Sequence, residues 1–137
     1  MMLTLALIDR YRVSWLIVLC SAHAGFILWH PPSNFSAFPD SFRFIAWISR
    51  DERIWGTLFG VSALSHGIGL AFFMAGISNR LLTGMRRAGL SGSFFFWLMF
   101  SVATMWGNPD SLFGIAGLAV AILAGRLLAN FGQPGNV

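Results

Sequence analysis

Residues 54–77 read IWGTLFGVSALSHGIGLAFFMAGI, a run of about 24 residues in which His66 is the only ionisable side chain. At about 1.5 Å of rise per residue, such a run reaches about 36 Å as a helix, more than the roughly 30 Å of hydrocarbon in a bilayer. The stretch therefore predicts a membrane span. Trp55 near its start, and Asn79 and Arg80 beyond its end, stand where interfacial aromatics and cationic anchors belong.

Three further apolar runs flank it. Residues 13–29 (VSWLIVLCSAHAGFILW) make a short span with Tyr11, Trp15 and Trp29 at its borders, residues 90–106 an aromatic one with Phe94, Phe95, Phe96, Trp97 and Phe100, and residues 111–131 a Gly/Ala-rich one. Gly107-Asn108-Pro109-Asp110 reads as a tight turn, which makes the last two helices antiparallel neighbours, with Asp110 or Ser111 capping the final helix. The expected fold is a single all-α domain over residues 1–137: an integral membrane helical bundle of about four transmembrane helices plus a short interfacial helix. Composition agrees, since 56% of the 137 residues are hydrophobic and only 10% charged, too few to clothe a soluble surface.

The first span admits a second reading. Arg10 and Arg12 precede a short apolar stretch ending in Ala22-His23-Ala24, the shape of a cleaved signal peptide over residues 1–24. Apolar character continues through Phe26, Ile27, Leu28 and Trp29, which favours a retained span. Cleavage would leave three spans and the same C-terminal side.

All nine cationic residues are Arg, giving a net charge of +4. Beside apolar runs they read as orientation signals and headgroup contacts rather than a nucleic-acid surface, since no basic stripe with stacking aromatics accompanies them. Arg10, Arg12, Arg80, Arg86, Arg87 and Arg126 fall on one side, with residues 79–89 taken as a loop. Arg43, Arg50 and Arg53 fall on the other, offset by Asp40, Asp51 and Glu52. The bias predicts both termini in the cytoplasm. Arg126, about one turn from the end of its span, is expected to snorkel to the headgroups. The absence of Lys beside abundant Arg, Gly and Ala points to a GC-rich coding sequence and a bacterial or bacteriophage source.

The longest joint, residues 30–53, passes Pro31, Pro32 and Pro39 before DSFRFIAWISRDER. Drawn as a helix over residues 40–50, it places Arg43 and Arg50 opposite Phe42, Ile45 and Ile48, which suits a helix lying in the outer headgroup layer. An extended lid over the bundle is the alternative.

Small residues form the clearest pattern. Gly56 and Gly60, then Ala63, Gly67, Ala71 and Ala75, recur along the second span, and Gly117, Ala121, Gly125 and Ala129 along the fourth. Inside lipid, apolar area drives little association, so helices associate where small side chains let backbones approach. These ladders predict close crossings within the monomer, or contacts in a homo-oligomer or with a membrane-protein partner.

His23 and His66 sit near the middle of their spans, and antiparallel packing places them at similar depth. Two helix-borne imidazoles of this kind hold haem b in cytochrome b-type anchors, and intramembrane His also marks proton or ion pathways. The structural alternative is that each hydrogen-bonds Ser21, Ser62, Ser65 or a carbonyl across the bundle. Cys20 alone builds neither a disulfide nor a thiolate metal site. The five acidic residues lie in flanks and loops, none at helical spacing from a His, and no phosphate loop or nucleophile elbow is present, so no catalytic activity and no resident metal are expected.

Arg53-Ile54-Trp55-Gly56, His66 within the span, Asn79 after it, Arg86-Arg87 and Trp97 together resemble a pattern in small multi-span membrane proteins encoded by tailed bacteriophages. The likeness covers about a third of the chain, and members of that family often carry Arg where His66 stands. It implies a phage or prophage source and an inner-membrane location, with no settled function. Two roles follow: an accessory protein binding a membrane partner, or a holin-like pore former using the ladders as oligomer contacts. The near-neutral end at residues 132–137 differs from the charged tail usual in holins.

Overall fold

A computed structural model describes residues 2–30 and 34–131, with side chains described from Tyr11 onward except that of Asn34. Pro31, Pro32, the Arg10 side chain and the near-neutral tail therefore lie outside the described residues. Among the described residues the chain is all-helical: α1 (Met2–Trp29), α2 (Asn34–Ala37), α3 (Pro39–Ile48), α4 (Glu52–Met74), α5 (Arg80–Gly107) and α6 (Leu112–Ala129). Four stretches are long and apolar enough to cross a membrane: Tyr11–Trp29, Glu52–Met74, Arg80–Gly107 and Leu112–Ala129. The protein is a membrane-spanning helical bundle.

Helix ends follow local chemistry. The Asp51 carboxylate accepts from Arg53 N at 2.9 Å and caps α4, with Glu52 in the first turn complementing the dipole. At the other end Gly76 takes φ +76°, and bonds from Gly76 N to Phe73 O (3.0 Å) and Ile77 N to Phe72 O (2.9 Å) close a Schellman motif. That glycine stops the helix at Met74, where hydropathy alone extends the span to residue 77. Ser111 stands at the start of α6, but its hydroxyl makes no capping bond; its carbonyl accepts from Ile115 N at 3.1 Å and its N–H donates to Asn108 O at 3.0 Å.

Two expectations need correction. The region taken as a loop at residues 79–89 is helix, because the Asn79 side chain accepts from Leu82 N at 2.8 Å and starts α5 at Arg80. Twenty-eight residues make a helix about 42 Å long, so its first turns outrun the hydrocarbon and carry Arg80, Arg86 and Arg87 at the bundle's end. Hydropathy marks the membrane border, whereas the cap marks the helix end. The expected surface helix exists as α3, but its apolar face packs on protein rather than lipid. Phe42 and Ile45 are buried in a cluster with Leu28, Phe35, Trp55, Phe59 and Phe100, while Trp47 (85% exposed) and Ile48 point outward. A periodic apolar face reports that something covers it, not what.

α1, α4, α5 and α6 pack in that spatial order, each chiefly on the next, with α3 lying against α5. α4 meets α5 backbone to backbone: a Cβ on Gly89 would stand 2.6 Å from Ser62 O, and one on Gly69 would stand 2.8 Å from Arg86 N. α1 meets α4 where a Cβ on Gly25 would stand 2.9 Å from Gly56 O and 3.1 Å from Gly60 N. α6 lies on α5 through Gly114 and Gly117 against Thr104, Ser101 and Trp97.

The ladders therefore coincide with the contacts only in part. Gly56, Ala63, Gly117 and Ala121 are buried, Gly60 lies against Gly25, Gly67 faces the Val18 side chain, and Gly125 faces Phe94. Ala71, Ala75 and Ala129 are exposed. Each step of four residues turns about 40° around a 3.6-residue helix, so three steps carry a ladder about 120° away from its first neighbour. The tightest crossing uses Gly69, Gly89 and Gly92, which belong to neither ladder.

Gly89→Ala is therefore expected to lower stability by about 1–3 kcal/mol, because its methyl meets backbone that cannot give. Gly84→Ala, where a Cβ meets open space, is expected to gain up to about 1 kcal/mol from helix propensity. Denaturant unfolding in detergent, followed by circular dichroism, checks both signs; equal effects would refute the crossing.

Candidate functional site

Buried polar groups line part of the bundle's interior, and its outer surface is apolar. Leu16, Leu19, Val61, Leu64, Phe95, Val102, Ile115 and Ile122 are exposed on the spans, whereas Ser14, Ser21, Ser62, His66, Ser93, Ser101 and Thr104 are buried. In hydrocarbon this is the favourable partition, since lipid solvates the leucines and neighbouring helices must satisfy the hydroxyls.

Ser21 is the hub of this seam. Its Oγ accepts from Trp97 Nε1 at 3.0 Å and donates to Ser93 Oγ at 3.2 Å, joining α1 to α5. Ser101 and Thr104 close instead on carbonyls of their own helix, at Trp97 O and Ser101 O. Ser93, Trp97, Ser101 and Thr104 recur at steps of four, four and three, a helical stripe present in the sequence and masked by the aromatic residues around it.

His66 is fully buried where α4 crosses α5, and among the described residues neither ring nitrogen has a hydrogen-bond partner. The cross-bundle bond expected from Ser21, Ser62 or Ser65 is not made; Ser21 is committed to Trp97 and Ser93. His23 lies elsewhere. With Gly25 beside Gly56 and Gly60, and Val18 beside Gly67, His23 is level with about residue 61 of α4, roughly 8 Å along the axis from His66. It faces α6, whereas His66 faces α5, so the two imidazoles neither share a depth nor line a common cavity. Among the described residues, no group of three or more His, Cys, Asp or Glu side chains is placed to hold a metal ion.

Arg86, expected in a loop, is 7% exposed, with its Cζ 4.5 Å from the Phe73 ring centroid and 5.1 Å from that of Phe131. Cation–π contacts of this kind contribute roughly 0.5–2 kcal/mol each and tie the ends of α4, α5 and α6 together. Tyr11 lies 6.1 Å from Phe73 at the same end. Arg126 is exposed in the last turn of α6.

A recess lies between α1 and α6. These helices converge at the Arg86 end, where Ile17 and Ala124 share a cluster with Val13, Val120, Leu123 and Leu127. Toward α3 they leave a cleft of about 260 Å3, walled by Phe42, Phe59, Trp97, Phe100 and Phe113, with Cys20 and His23 on its α1 side. Ala22-His23-Ala24, the stretch resembling a cleavage site, lies mid-helix between the buried Ser21 and the buried Gly25.

Ser21→Ala is expected to cost about 1–3 kcal/mol, since it leaves the Trp97 N–H unanswered in an apolar setting. Trp97→Phe in the Ser21→Ala background is expected to cost clearly less than in wild type, because the bond it removes is already gone. A double-mutant cycle of unfolding free energies reads the coupling, and additive losses would show that the bond carries nothing.

No family model matches this chain, and neither a curated protein nor a solved structure is found to be similar to it.

Proposed function

We propose that this chain is a non-catalytic inner-membrane protein of phage derivation that works by associating, through α6, with another transmembrane helix or with a second copy of itself. The observation that carries this reading is the outer face of α6. Leu112, Ile115, Ala119, Ile122, Arg126 and Ala129 are all exposed and follow one another at steps of three, four, three, four and three. That is the spacing of a helix–helix seam, with Ala119 and Ala129 small enough for close approach. α6 is also the most apolar span, at a mean hydropathy of 2.1, and the least enclosed, with 22% of it buried against 33% for each of the others.

Both termini are assigned to the cytoplasm, in keeping with the Arg residues gathered at the Arg86 end and the positive-inside rule. The inner-membrane and phage assignments rest on the residues from Arg53 to Trp97 described above. A holin-like pore former would share the association step but add lethality.

Disulfide trapping tests the seam. In a Cys20→Ser background, Ala119→Cys and Ile122→Cys are expected to give dimers, or adducts with a partner chain, on oxidation in native membranes. Val61→Cys and Leu64→Cys, exposed on α4, are expected to stay monomeric. Uniformly monomeric products would overturn the reading. Cell killing at a set time after induction, abolished by Ala119→Leu, would move the assignment to the pore former.

A further inference from the structure

The cleft between α1 and α6 runs from the level of Cys20 to that of Leu28, about 12 Å along α1, within one half of the roughly 30 Å hydrocarbon core. Its mouth is edged by His23, Phe113 and Ala116, all exposed, so it is continuous with the lipid-facing surface of the spans. A transmembrane helix about 10 Å across fills roughly 900 Å3 over that length, more than three times the volume present. A single aromatic ring fits: an apolar cavity of about 150 Å3 holds benzene, and this one has about 260 Å3.

His23 decides what kind of ring. It lies six residues from Trp29, about 9 Å below the level at which that indole bonds Thr57 at 3.1 Å, too deep for an imidazole to reach the headgroups. No protein group hydrogen-bonds it among the described residues, and an unanswered polar group in hydrocarbon is costly. A phospholipid keeps its polar atoms at the headgroup level, so an acyl chain in the cleft leaves His23 unanswered. A membrane-soluble ring carrying a carbonyl oxygen answers it at that depth, and five aromatic side chains supply faces and edges for stacking.

We propose that the cleft between α1 and α6 binds the head ring of a membrane quinone, with His23 donating a hydrogen bond to a ring carbonyl and the isoprenoid tail leaving through the mouth beside Ala116. The assignment is one of binding and does not depend on the association through α6.

Photolabelling of the full chain tests it, in nanodiscs of phosphatidylethanolamine and phosphatidylglycerol, with an arylazido short-chain benzoquinone. Label is expected on peptides containing Cys20 to Ile27 and Phe113 to Val120, and excess unlabelled ubiquinone is expected to displace it. His23→Ala is expected to weaken competition about tenfold, the equivalent of one hydrogen bond. His23→Gln, which keeps a donor, is expected to retain most of it. Ala116→Trp, which fills the mouth, is expected to abolish labelling, whereas Leu64→Trp on the opposite lipid face leaves it unchanged. Label spread over all exposed spans, or undiminished in both His23→Ala and Ala116→Trp, would overturn the proposal and leave the cleft to an acyl chain.

Discussion

Everything in this bundle is arranged around the contact of α4 with α5 at Gly69, Gly89 and Gly92. There the Gly89 Cα lies against the backbone of Ser62 and His66, with no side chain between the helices. Lipid offers no hydrophobic drive for helix association, so stability must come from dispersion at short range and from polar groups that lipid cannot solvate. The glycine crossing supplies the first and brings the second within reach. α1 packs chiefly on α4 and α6 chiefly on α5, so both rest on the two helices that meet at this crossing.

Where the backbones are this close, small polar groups pack beside the apolar core. Serines, a threonine and one imidazole share the interior with Ile17, Phe59, Leu70 and Leu90, while Leu16, Leu19, Val61, Leu64 and Phe95 face outward. The Ser21–Trp97–Ser93 node links α1 to α5 across the seam through side-chain bonds, and it places Trp97 so that its ring also walls the cleft. Packing and recess thus share a residue. The Phe59 ring, 4.9 Å from Trp97 and 5.6 Å from Phe100, continues the same wall toward α3.

The cleft itself follows from the order of packing. Four helices that each lie on their chain neighbour leave the first and last to meet only as far as their side chains allow. α1 and α6 close through Ile17 and Ala124 at one end, but toward α3 the Phe42 and Phe113 rings, 5.7 Å apart, stand where closure would occur. α3 thereby has a structural task that an amphipathic pattern alone does not reveal: its buried face seals the aromatic cluster, and its Phe44, Trp47 and Ile48 are left exposed.

The sequence by itself determined the number and rough extent of the spans, because hydropathy over about 20 residues is a local sum set by the cost of burying charge in lipid. It determined the turn between the last two spans, expected at residues 107–110 and found one residue later at 108–111, and the caps at Asp51 and Asn79 were there to be read as well, since a cap needs only its own first turn. Tertiary structure decided the rest. Which small residues form contacts depends on the angular position of each residue once a neighbour is in place, which is why Gly89 and Gly69 carry the crossing while Ala71, Ala75 and Ala129 face outward. Whether His23 and His66 meet depends on the axial register of α1 against α4, a quantity set by Gly25, Gly56 and Gly60 together and written in no single segment. The cleft could not be read at all, because it is the space left between the first and last spans, and only the packing of the two between them fixes its width.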